Sequence, residues 1–258
     1  MNKNYEIIDS LEKLPSPAYV CEEELLENNL KLLKRVQDET GVKILLALKG
    51  FAMHSTFDLC KKYLKGCCAS GLHEALLAKE EFGKEVHTYS PAFKDEEIDE
   101  IISISNHLVF NSFNQLKRYK DKAFKKVSLG VRLNPEYSSV EVDLYNPCAP
   151  NSRLGITKAN FDESQLQYLE GFHFHALCEQ NVDALEGALA NFEKNFSLYF
   201  SQLKWVNFGG GHHITRADYD VEGLINLLKD FKERYPHLEV YMEPGEAIGW
   251  QTGYLVAT

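Results

Sequence analysis

Eight short β-prone runs recur along this chain, and every gap between them is long enough for a helix. The runs are KILLALK (43–49), GCCAS (66–70), EVHTYS (85–90), HLVFN (107–111), VSLGVRL (127–133), GFHFHA (171–176), WVNFGGG (205–211) and EVYMEP (239–244). Helical patterns such as HSTFDLCKKYL, GLHEALLAKEEF and KDEEIDEIISI follow the first three. Strands that alternate with helices build parallel sheets, and eight of them predict an α/β fold closed as a (β/α)₈ barrel of the TIM type, over 43–250. An open doubly wound sheet is the alternative, and the count of eight favours closure. Ahead of the barrel, residues 1–42 contain SPAYVCEEELLENNLKLLKRVQDETG, which reads as a short strand and an amphipathic helix leading in. Residues 251–258 read as the start of a further β element.

The bulk chemistry narrows the function classes. The formal net charge is −10, and basic residues cluster no further than fragments such as Lys125-Lys126, so a nucleic-acid partner is not expected. No apolar run approaches bilayer length, and MNKNYEIIDSLEKL lacks an apolar core behind a basic start. No membrane association is expected, and the protein is expected to be cytoplasmic. The six cysteines form no C-x-x-C pair, and the adjacent Cys67 and Cys68 suit neither a disulfide nor zinc spacing, so reduced thiols are the simplest reading.

Side chains alternate across a strand with period two, which sorts the runs into faces. In GFHFHA, Phe172, Phe174 and Ala176 suit the helix-facing side, so His173 and His175 point inward. The same rule sends Tyr241 and Glu243 inward in EVYMEP and Ser128, Gly130 and Arg132 inward in VSLGVRL, and puts Lys49 on the face of Leu45 and Ala47. Lys49, Arg132, His175 and Glu243 therefore gather at the carboxyl ends of four strands, where barrel enzymes carry their chemistry. Singly, each has a bland reading: a solvated strand end, a structural Arg–Glu pair, a satisfied core histidine. Jointly they read as a site, because a charged residue sent into a barrel mouth is costly unless partnered.

The seventh run ends in Gly209-Gly210-Gly211. Glycines admit close backbone approach and can turn N–H groups toward an anion, and the loops after strands seven and eight of such barrels often hold a phosphate. A metal centre from His173, His175, His212, His213 and Glu243 is a rival, but it leaves Lys49 and the glycines unexplained. No metal is expected.

The lysine after the first strand, the histidine after the sixth, the glycine run and Glu243-Pro244-Gly245 together resemble the fold-type III pyridoxal-phosphate decarboxylases, which share an alanine-racemase-like barrel. LLALKGFA (45–52), HTYSPAFK (87–94), LYNPC (144–148), SRLGI (152–156), FHFHALCE (172–179), WVNFGGGHHIT (205–215) and EPGEAIGWQTG (243–253) are similar to the carboxynorspermidine and carboxyspermidine decarboxylase branch. These stretches run in order through nearly the whole chain. The resemblance implies pyridoxal 5'-phosphate as cofactor and a carboxy-lyase (decarboxylase) in norspermidine or spermidine biosynthesis. Lys49 would anchor the cofactor covalently, His175 would lie against its ring, Glu243 would pair with the ring nitrogen, and Gly209, Gly210 and Gly211 would hold the phosphate. Arg132 would stand near the cofactor, and Arg153 and Glu246 near the substrate.

Two departures from the family pattern matter. Ornithine and diaminopimelate decarboxylases usually read E-P-G-R where this chain reads Glu243-Pro244-Gly245-Glu246. Exchanging an arginine for a carboxylate suits a substrate whose far end is an amine, as in a carboxylated polyamine. The family also works as a homodimer whose C-terminal β-domain completes the partner's site, and that domain is expected to be largely absent from these 258 residues, leaving the chain a poor enzyme by itself. A non-catalytic pyridoxal-phosphate-binding barrel, or a related basic amino-acid decarboxylase of ornithine or diaminopimelate type, are the alternative functions. Carrier barrels usually place an arginine rather than a glutamate at the ring nitrogen.

Overall fold

A computed structural model describes residues 14–257; the first part of the predicted N-terminal lead-in, residues 1–13, and Thr258 lie outside the described residues. Strand β1 (Ala18–Cys21) is followed by helix α1 (Glu23–Thr40). The chain then runs β2 (Lys43–Ala47), α2 (Phe57–Tyr63), β3 (Gly66–Ala69), α3 (Leu72–Leu77), β4 (Glu85–Ser90), α4 (Ile98–Ile104), β5 (His107–Phe110), α5 (Phe113–Ala123) and β6 (Ser128–Arg132). It continues with β7 (Gly171–His173), α6 (Val182–Phe196), β8 (Trp205–Asn207), α7 (Val221–Arg234), β9 (Glu239–Met242), α8 (Glu246–Gly249) and β10 (Gly253–Val256). Strands β2 to β9 pair in sequence order, all parallel, and β9 closes onto β2, so the sheet is a barrel and not an open doubly wound layer. β10 returns to pair antiparallel with β1, outside the barrel.

The predicted alternation of faces holds. Ile44, Leu46, Val86, Leu108, Leu129, Val131, Phe172, Val206, Val240 and Met242 lie in the core between strands and helices. Leu45, Val109, Trp205 and Tyr241 form a separate cluster inside the barrel. Trp205 dominates it. A Cβ on Gly171 would lie 2.0 Å from the indole, so the neighbouring strand has to be bare there. His107 stacks on the indole (centroids 4.6 Å apart) and His87 stacks on His107 (3.9 Å), closing the amino end of the barrel with rings. Among the described residues these rings fill the interior at the amino end.

Helix α1 shows why the lead-in belongs to the barrel. Leu26, Leu30, Leu33, Val36, Gln37 and Thr40 form its buried stripe, and Gly41 ends it in the left-handed region (φ 71°) with its N–H on the Gln37 carbonyl. Each buried Leu or Val on that stripe is worth roughly 1.5–3 kcal/mol of transfer free energy. Asn29 Nδ2 donates to the carbonyls of Ile248 (3.1 Å) and Trp250 (2.9 Å), tying the helix to the segment after β9.

Two expectations need correction. The gap between β6 and β7, residues 133–170, holds no α-helix; it carries only short 3₁₀ segments at Asp143–Tyr145, Lys158–Asn160 and Glu163–Tyr168. Pro135, Pro147, Pro150 and Gly155 interrupt it, and no apolar stripe of helical period survives between them. The runs GFHFHA and WVNFGGG are strands only over Gly171–His173 and Trp205–Asn207. Their remaining residues leave the ladder, and of these His175 turns toward the carboxyl-end opening.

Candidate active site

A cavity of about 280 Å³ opens among the carboxyl ends of the strands, and Lys49, Cys68, Tyr89, Arg132, His173, His175 and Glu243 are among its lining residues. It is the meeting place that the strand-end residues predicted. Lys49 stands in the turn just past β2. Gly50 N and Phe51 N both bond back to the Ala47 carbonyl (3.0 and 3.1 Å), which turns the chain and presents the amine to the cavity. Gly50 and Gly245 touch: a Cβ on Gly50 would lie 3.0 Å from the Gly245 Cα. The two loops bearing Lys49 and Glu243 are thus packed backbone to backbone.

Glu243 follows β9 and is 9% exposed. Its Oε1 accepts from Asn207 Nδ2 at 2.6 Å, and its Oε2 lies 3.6 Å from His173 Nε2. Burial acts to raise its pKa, but the His173 and Asn207 contacts outweigh that and hold the carboxyl below the usual carboxylate range. Burial pushes the His173 pKa down. His175 is also held well below its ordinary value, first by burial and then by Arg132 and Lys49, and its Nδ1 accepts from Gly210 N at 3.3 Å. Arg132, 5% exposed, donates to the Tyr89 hydroxyl and the His175 carbonyl, each at 2.9 Å. Tyr89 in turn donates to Asn111 (2.9 Å), which accepts from Gly155 N (2.8 Å), so the cavity wall is tied to the β6–β7 segment.

The glycine run does not line this cavity but packs directly behind His175 and Glu243, which do. Gly209 and Gly211 have φ of 68° and 84°; a Cβ on Gly209 would lie 2.4 Å from the Phe174 carbonyl oxygen, and one on Gly211 2.1 Å from that of Leu177. No other residue fits there without moving backbone. Glu243 N donates to the Gly209 carbonyl (2.8 Å), which places the run beside the carboxylate.

Besides the glycine run, two predicted residues, Arg153 and Glu246, stand apart from this cavity. Arg153 is exposed and lines a neighbouring cleft with Lys117 and Asp162. Glu246 opens α8 at the rim, 47% exposed, with its carboxylate 3.3 Å from His213 Nε2. Among the described residues, no three His, Cys, Asp or Glu side chains are placed to hold a metal ion, and no helix is long and apolar enough to cross a membrane. Sequence reasoning assigns no role to Asn207 or Tyr89, although the period-two rule sends both inward beside Trp205 and His87. Glu74, which accepts from Ser70 N and Oγ (2.7 and 2.8 Å) at the cavity edge, comes from a helix and gives no such signal.

No family model matches the chain. Among curated proteins, a carboxynorspermidine/carboxyspermidine decarboxylase of Campylobacter jejuni is 53% identical over 247 residues, covering 96% of this chain and 64% of that protein. A carboxyaminopropylagmatine decarboxylase of Synechocystis is 45% identical over 249 residues, again 96% of this chain and 64% of the relative. The chain thus spans a little under two thirds of the length of these relatives. The crystal structure of carboxynorspermidine decarboxylase from Campylobacter jejuni complexed with norspermidine superposes with a TM-score of 0.86 at 51% identity, covering 94% of this chain and 63% of that one. Diaminopimelate decarboxylase of Helicobacter pylori shares the fold (TM-score 0.81) at 18% identity, with 98% of this chain and 68% of that one covered. Over nearly its whole length, the chain is similar in sequence and fold to the carboxynorspermidine/carboxyspermidine decarboxylases.

Proposed function

We propose that this barrel binds pyridoxal 5'-phosphate and serves in the decarboxylation of a carboxylated polyamine of the carboxynorspermidine or carboxyspermidine type. The observation that carries the reading is a buried Glu243 facing the cavity that Lys49 and His175 line, with a glycine run that admits no Cβ packed behind it. These residues fit the cofactor. A phosphate needs close backbone approach, an aromatic cation needs a buried carboxylate, and a carbonyl carbon needs a reachable amine. Bound pyridoxal phosphate supplies the electron sink that stabilises a carbanion once CO₂ has left.

The chain's own residues divide the remaining work. Lys49 is the nucleophile that anchors the cofactor. Glu243 would face the ring nitrogen and favour its protonated form. His175, neutral and fixed through Gly210 N and through Arg132 on its carbonyl, covers a ring face without adding charge. Gly209, Gly210 and Gly211 bring backbone to the phosphate. Glu246, at the rim, is assigned to the ammonium groups of the substrate tail. Arg153 lines a neighbouring cleft, and nothing in that position supports the substrate contact expected of it. A homodimer, with the rest of the family's length supplying the partner's contribution, completes the proposal.

The test is CO₂ release by the full-length protein from carboxynorspermidine, carboxyspermidine, carboxyaminopropylagmatine, ornithine and diaminopimelate. Release from one of the three carboxylated polyamines, with the two amino acids slower by on the order of 10²-fold or more, as buried polar mismatches impose, supports the reading. Turnover of ornithine or diaminopimelate alone refutes it.

A further inference from the structure

Glu243 does not stand on its own strand end unaided. Asn207, one strand away on β8 and 1% exposed, spans two parts of the site with a single side chain. Its Nδ2 donates to Glu243 Oε1 at 2.6 Å, and its Oδ1 accepts from Gly209 N at 2.8 Å. The amide plane therefore fixes the carboxylate and the first glycine of the run relative to each other. On the other side His173, 2% exposed, stands with Nε2 3.6 Å from Glu243 Oε2, within ion-pair range but beyond a hydrogen bond, and neither of its ring nitrogens has a hydrogen-bond partner among the described residues. We infer that Asn207 and His173 are positioning residues: together they set the orientation and the ionised state of Glu243, and Asn207 couples that setting to the glycine run. The purpose of that setting rests on the proposed role of Glu243; the geometry holds without it.

Chemistry favours this pairing of residue types. An amide is the side chain that can donate to a carboxylate and accept from a backbone N–H at once without bringing charge. Aspartate there would satisfy Gly209 N but set two carboxylates against each other. A histidine at 3.6 Å can turn an N–H dipole toward Glu243 without bringing a second carboxylate into the site. The other ionisable groups around Glu243 are Cys68 on β3, His87 and Tyr89 on β4, and His212 after the glycine run, with Lys49 and Arg132 as the cavity's cations. Among these neighbours Asn207 makes the short hydrogen bond, and His173 acts on the other carboxylate oxygen.

The experiment follows the carboxyl of Glu243 directly, by NMR of the cofactor-free full chain carrying ¹³C at the glutamate side-chain carboxyls, the resonance being assigned by its loss in Glu243→Gln. In wild type the signal should keep its ionised position down to the acid limit of folding. In Asn207→Asp and in His173→Leu the titration midpoint should rise by about one pH unit or more, since each removes a donor and one adds a like charge. His173→Gln, which keeps a donor, should restore most of the wild-type behaviour. Should Asn207→Asp fail to fold by circular dichroism, His173→Leu against His173→Gln carries the same comparison. Midpoints unchanged in the folded variants, or a rise in His173→Gln equal to that in His173→Leu, would overturn the inference. A second measurement separates it from the cofactor proposal: if added pyridoxal phosphate produces no visible absorption band while the carboxyl responds as described, the cofactor proposal fails and the positioning of Glu243 stands.

Discussion

Replacing Gly209 by alanine probes the glycine run at the point where it meets the wall of the site. Two costs arise, and the structure separates them. The first is backbone: φ is 68°, and a left-handed conformation costs an L-residue about 1–2 kcal/mol, offset by about 0.4–1 kcal/mol from a stiffer unfolded chain. The second is steric. The new Cβ would sit 2.4 Å from the Phe174 carbonyl oxygen and 2.7 Å from the His175 Cβ, both anchored in the wall of the barrel. Overpacking of that kind costs roughly 1–3 kcal/mol. Gly83 supplies the control, because its φ is 71° and nothing lies within 4 Å of the position a Cβ would take. Gly83→Ala should therefore cost about 1 kcal/mol or less, and Gly209→Ala about 2–4 kcal/mol. Urea unfolding of the two variants beside wild type measures both. Because the strain is relieved by pushing His175, Gly209→Ala should also weaken pyridoxal phosphate binding while Gly83→Ala leaves it alone. Variants that agree in stability within about 0.5 kcal/mol would refute the steric argument.

Other consequences can be checked in parallel. Glu243→Gln should retain the fold and slow CO₂ release by about 10²–10³-fold, the scale of losing one preorganised electrostatic contact, as measured by turnover at saturating substrate. Glu246→Arg should raise the KM for the carboxylated polyamine roughly tenfold or more, since it removes a charge-assisted contact, with little change in cofactor affinity. An unchanged KM would remove Glu246 from the substrate's path. His212 is 2% exposed and burial holds its pKa down to about 4, below the unfolded value of about 6.5. The unfolded chain then takes up the proton first as pH falls. Stability is fully present above about pH 6.5 and is lost progressively toward pH 4, with up to about 3 kcal/mol from this residue. His107, His173 and His175, also depressed first by burial, act in the same direction. His212→Gln keeps a donor for the Phe208 carbonyl and should flatten the pH dependence of the urea midpoint; an unaltered slope would count against this assignment.

The barrel is legible in the sequence because its signature is periodic. Alternating Ile44, Leu46 and Leu48 against Leu45, Ala47 and Lys49 requires a strand with one face to helices and one to the interior, and the structure buries Ile44, Leu46 and Leu48 in one cluster and Leu45 in another. The strand-end lysine, arginine, histidine and glutamate are legible for the same reason, since parity assigns the face and position assigns the end. Segment 133–170 defeats the prediction because a gap of suitable length is not a helix. Its prolines and its lack of an apolar stripe are the sequence features that outweigh length there. Asn207 carries no charge and so draws no attention, although parity points it inward. Glu74 and the His213–Glu246 contact depend on how loops and helices pack over the barrel mouth, and no local pattern encodes that. Arg153 shows the limit of transferring roles by motif: SRLGI lies where expected in order, yet its arginine turns to a neighbouring cleft while Leu154 enters the cavity.

Lys49 as the anchor of a pyridoxal phosphate site is the assignment on which the other roles depend. Adding the cofactor, reducing with borohydride and mapping the modified peptide by mass spectrometry tests this in one step. A visible absorption band lost on reduction, with the stable adduct on Lys49 in LLALKGFA, is the predicted result. An adduct on any other lysine, or no adduct in a folded chain, would contradict it.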